Sequence, residues 1–403
     1  MKIGQTIYLD HQATTPVDSR VFAKMSPFFA EAFGNPHSAD HVFGWESSQS
    51  VEAAAATIGD LIGADSDEII FTSGATEANN LALLGLGRRA AGGRRRRILV
   101  AATEHKCILA ASRVLSEPLG YEVQYLPVDA QGFIDLTALE RELSEGVLLV
   151  SIALVNNEIG TIQDIAAISE LVRASGAFLH CDGAQAPCAI DMSTMTTLVD
   201  LLSLSAHKIY GPKGIGALYV RRDLQTHIEP LIYGGGQQGN LRSGTVPVPL
   251  CVGMAEAVRL LNLDHCQSER EELRQLTAKF IERVQVLPWQ VQLNGPDVSR
   301  RHPGNANLRF DGFEADDILR VLQPGLAASS GSACTSGIPE PSHVLRKIGL
   351  TTDQANSSIR FSLGRETTNE NVDDAVALID DALSRLSRAD LREPAQATDS
   401  GDA

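Results

Sequence analysis

Continuous apolar runs that alternate with helical patterns constrain the fold of this sequence more than any other feature. The runs that fit strands are Glu68–Thr72, Ile98–Ala102, Val123–Leu126, Val147–Leu154, Ala177–Cys181, Leu201–Leu204 and Gly216–Val220. Helical patterns lie between several of them, for example at Glu77–Arg89 and Ile165–Ala174. Strands that are apolar throughout are buried on both faces, which favours a mostly parallel sheet covered by helices. The sequence therefore predicts an α/β fold that binds its ligand beyond the carboxyl ends of the strands.

The pattern changes after about residue 264 and predicts a second, smaller α+β domain. Its elements are a charged helix at Ser268–Val284, strands at Asn305–Phe310 and Ser358–Ser362, and helices at Ala315–Leu322 and Asn371–Ser387. We expect residues 15–264 to form the large domain. Residues 1–14 and 265–387 are expected to form the small one. Residues 388–403 are polar and poor in apolar side chains, so we expect a disordered tail.

Composition excludes several classes of protein. The chain has 403 residues, of which 43% are hydrophobic, so it can build a large core. No run of about 18 apolar residues predicts a membrane helix, and the first residues lack a secretion signal, so a cytoplasmic location is expected. A net charge of −16 disfavours direct binding of nucleic acid. The six cysteines show neither the spacing of a metal site nor that of a disulfide framework.

Two strand ends carry residues that suit a carbonyl cofactor. Lys208 follows the apolar run Leu201–Leu204, and a lysine amine can form a Schiff base with a carbonyl. Asp182 ends another buried run, where a carboxylate is costly unless a cation such as a protonated pyridine nitrogen pairs with it. A solvated lysine and a helix N-cap aspartate are the alternatives. The two together favour pyridoxal phosphate.

Two further strand ends fit the same cofactor. The segment Thr72–Glu77 follows a strand and opens a helix, so its hydroxyls and free N–H groups can cradle a phosphate. An ordinary capping box is the alternative. His105 follows the run Ile98–Ala102, where an imidazole can stack on a ring and move protons. A structural histidine is the alternative there, but four strand-end candidates in one domain favour a single cofactor site.

These residues resemble the class V branch of the fold-type-I pyridoxal-phosphate enzymes, and within it the NifS/IscS-type cysteine desulfurases. The matching segments are Tyr8–Pro16, Gly34–Ser38, Thr72–Glu77, Asn156–Gly160, Ser205–Gly216, Arg242–Thr245, Ser330–Ser336 and Ser358–Arg365. The resemblance covers nearly the whole chain. It implies a PLP-dependent enzyme that removes sulfur from L-cysteine, releases L-alanine and works as a homodimer.

The resemblance also implies roles for individual residues. Lys208 binds the cofactor covalently and moves protons, Asp182 pairs with the pyridine nitrogen, Gln185 bonds the phenolic oxygen, and His105 stacks on the ring. The phosphate is held by Ala75, Thr76, Ser205 and His207, and by Thr245 from the neighbouring subunit. Asn157 and Arg360 hold the substrate carboxylate, a task that the planar guanidinium fork suits.

Cys334 is the expected sulfur acceptor. It lies in the Ser-, Gly- and Pro-rich segment 327–341, whose composition predicts an exposed, mobile loop. An accessible thiolate there can attack the sulfur of bound cysteine and carry it as a persulfide. An incidental surface cysteine is the alternative.

Two departures from the resemblance leave questions open. Many relatives carry a Glu-Arg-Gly-type run where this chain has Gln238-Gly239-Asn240-Leu241, which changes the charge and is expected to affect cofactor grip or loop packing. The polar tail is unlike the one that docks an iron–sulfur scaffold protein. The acceptor is therefore left among iron–sulfur cluster assembly, tRNA thiolation and DNA phosphorothioation. A selenocysteine lyase, another class V reaction and a partner-activated sulfur relay are the alternative functions.

Overall fold

The computed structural model describes residues 1–143, 146–261, 266–330 and 340–390. The chain divides into two compact units. Unit 1 comprises residues 1–11, 158–160 and the part from residue 271 onward, and unit 2 comprises residues 12–157 and 161–270. The division falls at residues 270/271, inside a helix, a few residues after the boundary at 264/265 that the sequence suggests.

Strands and helices are numbered along the chain. The strands are β1 (Lys2–Ile3), β2 (Thr6–Tyr8), β3 (Ile69–Thr72), β4 (Arg97–Ala101), β5 (Glu122–Leu126), β6 (Val147–Ala153), β7 (Phe178–Asp182), β8 (Leu201–Ser205), β9 (Gly216–Val220), β10 (Val291–Leu293), β11 (Asn305–Phe310), β12 (Leu326–Ala327) and β13 (Ser358–Ser362). The helices are α1 (Ser19–Met25), α2 (Pro27–Ala30), α3 (Val42–Ile62), α4 (Ala75–Asn80), α5 (Leu86–Arg89), α6 (Lys106–Ser116), α7 (Leu136–Glu142), α8 (Ile165–Ser175), α9 (Val248–Leu261), α10 (Cys266–Gln285), α11 (Ala315–Leu322), α12 (His343–Lys347), α13 (Thr352–Asn356) and α14 (Asn369–Asp390).

Unit 2 is built on a seven-stranded sheet with the order β3-β9-β8-β7-β6-β4-β5. Strand β9 runs antiparallel to both of its neighbours, and the other strands share one direction. The carboxyl ends of six strands therefore meet at one edge of the sheet. This confirms the predicted fold class, a mostly parallel sheet with helices around it.

Both faces of this sheet are buried. Successive residues of one strand point to opposite faces, so that Leu99 and Ala101 belong to one apolar core and Ile98 and Val100 to the other. Helices α3 and α9 pack together on the first face. Apolar residues on both faces explain why the strands read as continuous hydrophobic runs.

The helical pattern predicted at Glu77–Arg89 is interrupted in the structure. Helix α4 begins at Ala75, two residues earlier than expected, and a π-helical turn at Leu81–Gly85 separates it from α5. Such turns insert one extra residue per turn and are frequent beside functional sites. Here the π turn directly follows Asn79 and Asn80.

Unit 1 has two small sheets. Strands β1, β2 and β12 form one, and β11 lies between β10 and β13 in the other. Its core contains Phe361, whose ring makes T-shaped contacts with the rings of Phe280 and Phe310. The predicted strands Asn305–Phe310 and Ser358–Ser362 have the expected bounds.

The last helix extends further than the sequence suggests. Helix α14 runs to Asp390, so residues 388–390 are helical rather than part of a disordered tail. Residues 391–403 of that tail lie outside the described residues. Within the described part of the chain, no helix combines the length and apolar character that crossing a membrane requires.

Candidate active site

The Lys208 amine is held by two main-chain carbonyl groups of a distant segment. Lys208 lies in a short helical turn that follows β8. Its Nζ donates to the carbonyl oxygens of Gln12 at 2.6 Å and Ala13 at 2.8 Å. The side chain of Gln185 donates to the same Gln12 oxygen at 2.9 Å. Two residues that the sequence analysis assigned to the cofactor therefore meet at one atom.

Asp182 ends β7, the neighbour of β8, and is 8% exposed. Its Oδ2 accepts from Nδ2 of Asn79 at 2.7 Å, and its Oδ1 accepts from the backbone N–H of Ala184. The described residues that follow form turns, so Asp182 is not a helix N-cap. A carboxylate buried in this way is suited to pair with a cationic group of a ligand.

His105 caps helix α6 through its ring. Nδ1 accepts from the backbone N–H of Cys107 at 3.2 Å and lies 3.0 Å from the thiol of the same residue. Because Nδ1 is an acceptor, the neutral ring carries its proton on Nε2. Burial raises the pKa of the Cys107 thiol to about 11, so this cysteine is a neutral thiol near pH 7.

Glu104 is a buried acid that the sequence analysis did not single out. It is completely buried, and its Oε1 accepts from the backbone N–H of Ala153 at 2.5 Å. Burial and the nearby Asp182 charge raise the pKa of Glu104 well above its usual range. The raised pKa favours the protonated, neutral form of Glu104.

The predicted phosphate cradle is a glycine turn between β3 and α4. Gly74, at φ 151°, is the N-cap of α4. A Cβ on Gly216 of β9 would lie 2.7 Å from the backbone of Gly74, so only glycine allows this close approach. Glu77 reaches back to the N–H of Ser73, as in half of a capping box, but no side chain caps the helix from Gly74. The first N–H groups of a helix have no partner within the helix, so the start of α4 can donate to a ligand.

His207 and Ser205 flank the lysine. The ring Nδ1 of His207 lies 3.1 Å from the hydroxyl of Thr14, and burial together with the charge of Lys208 lowers the pKa of His207 to about 4. His207 is therefore neutral near pH 7. Ser205 is buried at the end of β8.

The remaining predicted residues are placed as follows. Thr245 is exposed, and Asn157 is half-buried in unit 2. Arg360 lies in unit 1, buried on β13, where it donates to Asp10 at 2.7 Å. Cys334 and its neighbours 331–339 lie outside the described residues.

Sequence reasoning missed Asn79, Glu104 and the carbonyl groups of residues 12 and 13. Asn79 carried a usable signal, since it is a polar residue among Ala78, Ala82 and Leu83 on a buried helical face. A main-chain carbonyl carries none, because every residue has one. The site as a whole fits pyridoxal phosphate: an amine follows β8, a buried carboxylate ends β7, and a glycine turn that opens a helix follows β3.

Comparison with known proteins supports the same cofactor. The sequence model named aminotransferase class-V matches residues 7–375. The chain belongs to this family. Class V enzymes of this kind depend on pyridoxal phosphate, which is the cofactor of this chain as the sequence predicts. This confirms the resemblance stated from the motifs.

Three similar proteins illustrate the relationship. Cysteine desulfurase IscS of Rickettsia bellii is 46% identical over 380 residues, which cover 94% of this class V chain and 92% of the relative. A solved structure described as a NifS-like protein has a TM-score of 0.87 and 33% identity, and covers 94% of this chain and 100% of its own. A structure described as SspA in complex with cysteine has a TM-score of 0.78 and 35% identity, with coverages of 90% and 100%.

Proposed function

We infer that this class V enzyme is a cysteine desulfurase, which takes the sulfur from L-cysteine and leaves L-alanine. The observation that carries the inference is the pairing of an amine and a buried carboxylate at neighbouring strand ends, Lys208 after β8 and Asp182 at the end of β7. Relatives named cysteine desulfurase, at 46% identity over most of the chain, favour this reaction among those of the family.

Some residues of unit 2 set the charge around the proposed cofactor site, and others transfer protons. Pyridoxal phosphate, when bound, supplies the electron sink for the substrate carbanion. Asp182 would pair with the ring nitrogen of the bound cofactor, and the raised pKa of Glu104 favours its neutral form beside it. The Lys208 amine would take up the substrate α-proton and serve as the proton carrier of the site. His105 offers its Nε2–H as a proton donor, because its Nδ1 is occupied by the helix cap.

Cys334 is the proposed acceptor of sulfur. Its thiolate attacks the substrate sulfur, an S–S bond forms, the C–S bond breaks, and its electron pair stays on carbon, which is then protonated. The result is a persulfide on Cys334 and alanine. Support comes from the matched flanks of its segment, since Cys334 itself lies outside the described residues.

The proposed substrate contacts are Asn157 and Arg360. The Arg360 guanidinium is 5% exposed and donates to Asp10, which fixes the orientation of its planar fork. A guanidinium held in one orientation can donate two parallel hydrogen bonds to a carboxylate at low entropic cost.

A homodimer is the proposed assembly. Unit 2 exposes an unusual number of aromatic side chains within one stretch of sequence: Phe22, Phe29, Phe33, Phe43 and Trp45 are each between 48% and 67% exposed. Exposed apolar surface of this kind is typical of protein interfaces. We propose that a second copy of this chain covers it and that Thr245 reaches the phosphate of that copy. Sedimentation velocity of the wild-type protein and of Trp45→Glu tests the proposal, and a wild-type monomer would contradict it.

The acceptor beyond Cys334 is proposed to be a protein of iron–sulfur cluster assembly, because relatives named IscS are 44% to 46% identical to this chain. Thiolation of tRNA and DNA phosphorothioation are the alternatives. The cytoplasmic location remains a prediction of the sequence.

The test of the function is the release of alanine and sulfide from L-cysteine in the presence of a thiol reductant. Equal amounts of both products are expected from the wild-type protein, and Lys208→Ala is expected to lose both products and the absorbance of the lysine-bound cofactor. A yellow wild-type protein that releases no alanine, with or without an added scaffold protein, would contradict the proposed reaction while leaving the cofactor assignment intact.

A further inference from the structure

The segment 237–244 makes two side-chain contacts with the predicted phosphate cradle, residues 72–77, and the strand before it. Arg242 donates to Glu77 in the first turn of α4, with its Nε 2.9 Å from Oε1. Glu77 in turn accepts from the backbone N–H of Ser73 at 2.7 Å. The pair is mostly buried, with 20% and 14% of the two side chains exposed, so solvent weakens it less than a surface pair. Arg242 therefore fixes the helical side of the turn.

Gln238 fixes the strand side. Its side-chain oxygen accepts from the backbone N–H of Phe71 at 2.7 Å, and its side-chain nitrogen donates to the Phe71 carbonyl oxygen at 3.0 Å. A backbone N–H can only donate and a carbonyl can only accept, so the orientation of the carboxamide is determined by its partners. Both contacts lie one residue before Thr72, where the cradle begins.

Strand β3 is an edge strand, which explains why such a contact is available. It pairs on one side with β9, and among the described residues no strand lies on its other side. Alternate residues of an edge strand present an unpaired N–H and C=O outward. The Gln238 carboxamide occupies one such pair at Phe71 and imitates a neighbouring strand. These two hydrogen bonds stabilise the end of β3 at the residue before the phosphate cradle.

We propose that Gln238 is a positioning residue for the cofactor phosphate, and that the task requires an amide because the side chain must donate and accept at the same time. A glutamate at this position, as the related Glu-Arg-Gly run would place there, could accept from the Phe71 N–H. Its ionised carboxylate could not donate, and it would face the Phe71 carbonyl oxygen with a negative charge. The exchange of glutamate for glutamine thus changes how the turn is held.

The inference rests on the proposed role of residues 72–77 as the phosphate cradle. Gln237 offers a matched control, because its side-chain oxygen accepts from the N–H of Gly244 at 2.8 Å, and a carboxylate can accept in the same way. Gln237→Glu and Gln238→Glu therefore introduce the same charge one residue apart, but only the second removes a donated hydrogen bond.

The experiment titrates apoenzyme with pyridoxal phosphate and, separately, with pyridoxal, following the absorbance of the bound cofactor. Gln238→Glu, which loses the donated bond to Phe71, and Gln238→Met, which loses both bonds, are each expected to weaken pyridoxal phosphate binding by about tenfold or more. Neither variant should change pyridoxal binding by more than about twofold, and Gln237→Glu should match the wild type with both ligands. Wild-type affinity for pyridoxal phosphate in both Gln238 variants would overturn the inference, as would an equal loss with pyridoxal.

Thr76→Ala tests the phosphate cradle independently of the role proposed for Gln238. Weaker pyridoxal phosphate binding by Thr76→Ala beside unchanged Gln238 variants would refute the role of Gln238 alone. Unchanged binding by Thr76→Ala and by the Gln238 variants would refute the cradle itself.

Discussion

Nδ2 of Asn79 donates to Oδ2 of Asp182 at 2.7 Å, across more than one hundred residues of sequence. Asn79 lies one turn into the helix that opens the phosphate cradle, and Asp182 ends the strand next to that of the lysine. The bond thus joins the helix at the phosphate end of the proposed site to the carboxylate at its nitrogen end. A substitution of Asn79 should therefore disturb both the helix of the phosphate cradle and the position of Asp182.

Replacing Asn79 by aspartate tests this connection. The variant loses the donated bond and adds a negative charge beside Asp182, so one of the two carboxylates takes up a proton and the pairing with the ring nitrogen weakens. We expect pyridoxal phosphate affinity to fall by about tenfold and cysteine turnover to fall with it. Asn369→Asp is the control, because Asn369 only accepts, from Lys279, and a carboxylate accepts equally well. Wild-type cofactor affinity in Asn79→Asp would show that the bond is dispensable.

Glu104 should give the protein a distinct dependence of stability on pH. Its folded-state pKa is raised, so the folded protein keeps a proton that the unfolded chain releases above a pKa of about 4.3. The contribution of this group to the free energy of unfolding is therefore fully present below that pH and declines as the pH rises.

Glu104→Gln removes this decline, because glutamine imitates the protonated acid and does not titrate. Measured by denaturant unfolding between pH 4 and pH 8, the stability of the variant relative to the wild type should increase with pH, by at most about 1.4 kcal/mol per pH unit. Glu122→Gln, at a side chain that is 66% exposed, should show no such trend. A difference between Glu104→Gln and the wild type that stays constant over this range would contradict a protonated Glu104.

Arg360→Lys should separate substrate binding from cofactor binding. A lysine keeps the positive charge but loses the fork that can grip a carboxylate at two points. We expect the KM for cysteine to rise at least tenfold while the absorbance of the bound cofactor is unchanged. Arg309→Lys, on the adjacent strand β11 and paired with Asp311, is the matched control and should keep the wild-type KM. Equal KM values for all three proteins would remove Arg360 from the substrate site.

Cys334→Ser should leave a yellow protein that no longer releases sulfide. The serine hydroxyl is not ionised near neutral pH and does not attack sulfur. Cys266→Ser is the control, because Cys266 is buried and a hydroxyl can replace its thiol as donor to the Leu260 carbonyl. Sulfide release by Cys334→Ser at the wild-type rate would assign the acceptor role to another thiol.

The sequence predicted the sheet well because the signal is local. The strand Gly216–Val220 has the expected bounds, since its five residues are all buried and flanked by turn residues. Lys208 and Asp182 could be found for a similar reason: Asp182 directly follows an apolar run, and Lys208 lies in the turn that follows another. Asn79, Glu104 and Gln238 could not be assigned roles in this way. Their partners lie 103, 49 and 167 positions away, and no periodic pattern in the chain reports such pairs.

The two carbonyl groups that hold the Lys208 amine belong to residues 12 and 13, almost two hundred positions earlier in the chain. Contacts of large sequence separation form slowly in folding. We therefore expect the amine to meet these two acceptors after the strands between them have paired. Removing the first fifteen residues would delete both acceptors and leave β8 and the turn that carries the lysine in place.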